Sequence, residues 1–294
     1  ILAILSLVFW TLMVVVQKLE PNGTINTLWG NEISLDTFYG VHFIREKQFE
    51  MFLGHKIIRN IGLFPESPMY DIILVTSFYT DLFLRERSYI GRASLFFVTI
   101  LTTFGTLAVM LSLLGIFLFA CKEIKVKWRW IILVGFGALF AAGILILLIN
   151  KMRTGTGSYN THLDDFVACL KAWLQYPLFG SGFENYRVIQ EHMSEFRRHN
   201  TGITTSLGAV LAQGGIGLTL VYVLPYVNML ANVFHKDRRR VACWGVGTLG
   251  LIVVFVFQYR FFMFLLLALG YSYMPNLLMI QEKVQGNRNR QLQD

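Results

Sequence analysis

The chain has 294 residues, 54% of them hydrophobic and only 15% charged, with a mean hydropathy of +0.52 and a net charge of +8. A soluble domain carries about 25% charged residues. The deficit and the long charge-free runs exclude an ordinary soluble protein and point to a bilayer, with membrane lipids as neighbours and no nucleic-acid partner.

Taken in order, the apolar segments are Ile1–Val16, Met69–Leu84, Ala93–Ala120, Trp130–Ile149, Gly215–Phe234, Cys243–Phe257 and Phe261–Ile280. The chain opens inside an apolar run without an initiator Met, which predicts a start partway through a larger protein. The pattern predicts an all-α, polytopic membrane helix bundle over 1–294, with two large extracytoplasmic loops, 17–68 and 150–205, containing short helices. Four short stretches, Arg85–Arg92, Lys122–Arg129, His235–Arg240 and Gln281–Asp294, hold 14 Lys/Arg against 5 Asp/Glu. The two long loops hold 11 of each. Excess Lys/Arg marks cytoplasmic segments, so the short stretches face inward and the long loops outward. Ala93–Ala120 has basic stretches at both ends and exceeds the roughly 20 residues of one span. A tight hairpin broken at Thr102–Thr106 resolves this. Of Cys121, Cys169 and Cys243 only Cys169 falls on the outer side, so no disulfide within the chain is expected.

The second loop holds the candidate chemistry. Asp164–Leu174 reads as an amphipathic surface helix stopped by Tyr176-Pro177. Gly180 and Gly182 allow a close approach that a side chain would block. A second short helix fits Glu184–Phe196, followed by Arg197, Arg198, His199 and Asn200. His199 titrates naturally near neutrality, with a reference pKa of about 6.5, and suits a base. Arg197 and Arg198 suit phosphate, or simply a helix C-terminus. Arg153 suits phosphate or a membrane interface. His162, Asp164 and Asp165 fit a helix N-cap better than a metal, so neither metal nor cofactor is expected.

PLFGSGFENY, then HNT, then AQGGIG opening a helix, together resemble the core of the bacterial O-antigen polymerase/ligase family. A second patch agrees: Arg59-Asn60-Ile61-Gly62-Leu63-Phe64-Pro65-Glu66-Ser67-Pro68 is similar to the family's Arg-x-x-Gly-hydrophobic-Phe-x-Glu-Pro step, with Ser67 inserted. The resemblance implies a metal-independent glycosyltransferase of the GT-C type in the bacterial inner membrane, its site facing the periplasm. It implies a polymerase joining undecaprenyl-diphosphate-linked oligosaccharide repeat units into surface polysaccharide. The alternatives are an O-antigen ligase and, from another class, a lipid-linked oligosaccharide transporter or flippase. Donor and acceptor glycans would be its partners, with room for a chain-length regulator protein. His199 would be catalytic. Arg59, Glu66, Arg153, Arg197, Arg198, Asn200, Gly180 and Gly182 would bind diphosphate or sugar. Family members often carry a Ser-Arg pair where this chain has Thr103–Thr106, so one phosphate contact is missing or supplied elsewhere.

Overall fold

The computed structural model describes residues 1–17, 19–27, 33–52, 55–85, 90–123, 135, 156–198, 201–231 and 239–273. The protein is mostly helical, at 66%. The helices are α1 (Leu2–Trp10), α2 (Ser67–Tyr79), α3 (Ile90–Thr103), α4 (Thr106–Glu123), α5 (Thr156–Gln175), α6 (Tyr186–Gln190), α7 (Ser206–Ala231), α8 (Arg239–Val254) and α9 (Phe261–Ser272). Among the described residues, α7 is the one helix long and apolar enough to cross a membrane; the other apolar helices are shorter.

The first long loop corrects the expectation of short helices. It folds as β1 (Gly23–Thr27), β2 (Ile33–Phe38), β3 (His42–Ile44), β4 (Phe49–Phe52) and β5 (His55–Ile58). The first three strands form one antiparallel sheet and the last two a hairpin. The physical reason is local: GTINT, ISLDTF and HFI are rich in β-branched and aromatic residues. Tyr39 and Gly40 both adopt positive φ and return the chain between β2 and β3. The sheet rests on α1, with Phe9 stacked on Phe38 at 5.4 Å.

The Ala93–Ala120 segment is two helices. Thr103 and Gly105 lie against Asp71 near the start of α2. Arg92, near the start of α3, pairs with Asp81 just past the end of α2 at 2.9 Å. α4 then passes Tyr79, whose hydroxyl donates to Leu111 O at 2.7 Å, and reaches Phe83 through Phe119. α3 therefore runs antiparallel to both α2 and α4. Phe104, at φ +53, and Gly105 make the reversal.

α8 begins beside Thr80 through Trp244 and ends with Gly250 against Leu111. Its last turn meets the start of α7, where Ser206 N donates to Phe255 O at 3.0 Å. One end of the bundle thus gathers the β-rich loop, the α3–α4 reversal, the start of α7 and the α8–α9 turn. Arg85, Arg92 and the start of α8 lie at the other end. The core between them is aromatic and aliphatic, with Tyr79, Phe83, Trp244 and Tyr226 buried.

Candidate functional site: a loop threaded into a broken helix

α7 is not continuous. Gly215 sits at φ 62, ψ −165, far from helical values. A break in a helix orphans its carbonyls and amides, and a nonpolar environment makes that costly. The loop after α5 supplies the missing partners. Ser181 N donates to Ala212 O at 2.9 Å and Gly182 N to Gln213 O at 3.0 Å. In return Ile216 N donates to Pro177 O at 3.0 Å and Gly217 N to Leu178 O at 3.5 Å. These four groups on α7 are the ones that unbroken i→i−4 bonding would pair with each other. PLFGSG and AQGGIG are therefore two halves of one structure.

The glycines follow from that fit. A Cβ on Gly180 would run into the backbone of Gln213 and Gly214, and one on Gly215 into Leu178 O. Gly180 packs loop against helix, so its close approach is to α7. Gly182, at φ +106, has open space around its Cβ position. AQGGIG spans the break: its first residues end the segment that starts at Ser206, and Ile216 after Gly215 opens the second segment of α7, with the loop replacing the hydrogen bonds lost between them.

Polar and aromatic groups collect at this break. Tyr259 donates its hydroxyl to Gln213 Oε1 at 2.6 Å. Phe183 lies on Tyr259 with ring centroids 4.3 Å apart. Gln258 Nε2 donates to Tyr186 Oη at 3.3 Å, and Tyr222 donates to Gln258 O at 2.7 Å. Burial pushes the Tyr186 phenol up, opposed by the Gln258 hydrogen bond. Burial pushes Tyr259 up as well, with Tyr222, Tyr186 and Glu184 adding to it. Nothing in the spacing of Gln213, Gln258 and Tyr259 marks them in the sequence. The only signal was that Gln213 falls inside AQGGIG.

The second long loop is tied by a single carboxylate. Asp165, fully buried in α5, accepts Arg197 Nη1 at 2.6 Å on one oxygen. Its other oxygen accepts Thr204 N at 2.8 Å and Thr204 Oγ1 at 2.6 Å. Arg197 also donates to Thr161 O and Gly202 O. Its guanidinium is 1% exposed, so it braces the loop instead of facing a ligand. Asp164 accepts Ser194 N and Oγ. Both aspartates sit inside α5, which begins at Thr156, and not at an N-cap. Among the described residues no His/Cys/Asp/Glu cluster has metal-site geometry. Arg198 is exposed and, among the described residues, pairs with Glu195 at 3.1 Å. His199, Asn200 and Arg153 lie outside the described residues.

In the first loop, Arg59 donates from Nε to Thr103 O at 2.7 Å and from Nη2 to Phe104 O at 2.8 Å. It caps the α3–α4 reversal at Thr103–Thr106, supplying from the first loop the arginine that this segment itself lacks. Burial lowers its pKa, with Asp71 and Glu50 opposing. Asn60 Nδ2 binds Thr102 Oγ1 beside it at 2.9 Å. Glu66 is the residue preceding α2 and pairs with Arg45 at 2.7 Å, not with Arg59. Arg45 was missed because it lies in the β-rich part of the loop, outside the recognised patch.

No protein-family model matches the chain, and no curated protein or solved structure matches it.

Proposed function

We propose that this chain is a membrane glycosyltransferase that polymerises undecaprenyl-diphosphate-linked oligosaccharides at the outer face of a bacterial inner membrane. One observation carries the reading: the two segments that bear the resemblance interlock at the α7 break, at the bundle end that also holds the β-rich loop and Arg59. Residues drawn from distant parts of the chain then stand at one end of the bundle, which suits a site for two large glycans.

In this reading the bundle is polytopic, and the end holding the long loops faces outward. His199 accepts the proton of the acceptor hydroxyl. That oxygen attacks the anomeric carbon, the carbon–oxygen bond to diphosphate breaks, and undecaprenyl diphosphate leaves. Arginines stabilise the leaving charge through paired N–H donors. Arg59, Arg153 and Arg198 are the candidates; Arg197 is committed to Asp165 and positions the loop. Glu66 holds Arg45 at the same end.

The α7 break also favours a second reading, a flippase for the same lipid, because transporters place discontinuous helices around their substrates. Purified protein in vesicles, given undecaprenyl-diphosphate repeat units, separates the two. The enzyme releases undecaprenyl diphosphate and builds a ladder of products; a flippase moves intact lipid across and builds none. A ligase makes one transfer per acceptor and no ladder. His199→Ala should slow product formation about 100- to 10,000-fold, the usual effect of losing a positioned base. Normal ladders from this variant would sink the base assignment.

A further inference from the structure

Two buried amides at the helix break each hold one atom in reserve. Gln213 is 1% exposed, and its Oε1 is taken by Tyr259, while Nε2 has no partner among the described residues. Gln258 is 2% exposed and is its mirror: Nε2 is used on Tyr186, while Oε1 has no partner among the described residues. Ser181 Oγ, in the loop that plugs the break, is a third such atom. Buried polar groups left unpaired cost stability, so an arrangement that keeps both a free donor and a free acceptor suits an incoming ligand.

Above them lies an aromatic pair. Tyr259 is half-buried, and its partner Phe183 is 70% exposed. A Phe this exposed gains little from folding, and Glu184, next in the chain, takes a positive φ of 54° that a side chain rarely adopts. Phe183 nevertheless stays on the Tyr259 ring, with centroids 4.3 Å apart.

We propose that Ser181, Phe183, Tyr186, Gln213, Gln258 and Tyr259 form a carbohydrate subsite, binding one pyranose ring through its hydroxyls and its apolar face. Each sugar hydroxyl both donates and accepts, which matches the free amide N–H of Gln213 and the free carbonyl of Gln258. The C–H face of a sugar packs on an aromatic ring, while a diphosphate, which only accepts, could not use the free carbonyl of Gln258 or the ring faces. The subsite rests on the glycosyltransferase reading and assigns its sugar-recognising residues, distinct from the arginines that would hold diphosphate.

The test measures binding apart from turnover. The probe is the repeat-unit oligosaccharide released by mild acid from its lipid carrier, titrated into purified protein by saturation-transfer NMR and calorimetry. Phe183→Ala changes an exposed side chain and should fold normally. Gln213→Met keeps the shape and removes the amide. Each should weaken the probe's affinity by about two- to tenfold, as loss of an aromatic contact or of a buried hydrogen bond does. Arg240→Ala, an exposed position at the start of α8 on the other end of the bundle, should bind like the unaltered protein. Wild-type affinity in both Phe183→Ala and Gln213→Met would overturn the subsite and leave the polymerase reading intact. Failure of the unaltered protein to bind the probe, while it still makes ladders, would do the same. Binding lost as expected, with no undecaprenyl diphosphate ever released, would support the subsite and refute the polymerase.

Discussion

Asp165 closes the stretch from Arg197 to Thr204 by gripping both of its ends, one on each carboxylate oxygen. His199 and Asn200 fall between those two anchors in the sequence. Breaking a buried pair by removing one partner typically costs about 3–5 kcal/mol, because the remaining charge stays buried. Asp165→Asn or Arg197→Met should therefore open this stretch. Limited proteolysis should cut it faster, and polymer synthesis should fall with it. Arg198→Ala, at an exposed pair, should change protease sensitivity little. Equal protease resistance in all three proteins would refute the anchoring role.

The interlock at the break makes opposite forecasts for neighbouring glycines. Gly180→Ala and Gly215→Ala place a Cβ into backbone atoms and force it at positive φ. Gly217→Ala meets only Leu178 O at an ordinary 3.7 Å. The first two should lower the melting temperature in detergent by several degrees, and the third by about a degree or less. Indistinguishable melts would mean that the loop is not threaded through α7.

Arg59 and Glu66 should behave differently. Lys cannot reach both Thr103 O and Phe104 O with a planar fork. Arg59→Lys should therefore impair both stability and turnover. Glu66→Gln should act through Arg45 and be mimicked by Arg45→Gln, with a double variant no worse than either single one. Additive losses in that double-mutant cycle would separate the two residues.

The β-rich loop should be acid-sensitive through His42. Burial lowers its pKa from 6.5 to about 4. A depressed folded-state pKa means stability fully present above pH 6.5 and lost as pH falls toward 4. At pH 5 the loss is about 2 kcal/mol. His42 is 1% exposed and packs beside the stacked Phe9–Phe38 pair, about equally far from both rings. His42→Phe should keep the loop protease-resistant at pH 5, where the unaltered protein loosens. The same acid response in both would assign it to other groups.

Sidedness is open to labelling. A cysteine placed at Asn160 should react with an impermeant reagent from outside, and one placed at Lys125 should not. Reaction of both would contradict the proposed orientation, which rests on the charge bias of the sequence.

Composition and apolar run length were enough to read a mostly helical chain, because the cost of exposing apolar side chains is summed residue by residue. The α3–α4 reversal was legible for a similar reason: basic stretches at both ends leave a single span unfavourable. The motifs PLFGSG and AQGGIG were visible as glycine-dense islands in apolar sequence, but not what they do to each other. Their pairing exchanges backbone hydrogen bonds across more than thirty residues, and backbone groups are the same in every residue. The strands among the described residues had a local signal in their β-branched and aromatic residues, but their docking did not: Phe9 on Phe38 and Trp10 on Ile58 O come from α1, far off in the sequence. The partners of Arg197, Glu66 and Arg59 could not be read locally either. An arginine in a loop is equally fit for a phosphate or a carboxylate, and only the tertiary structure decides which one is within 3 Å.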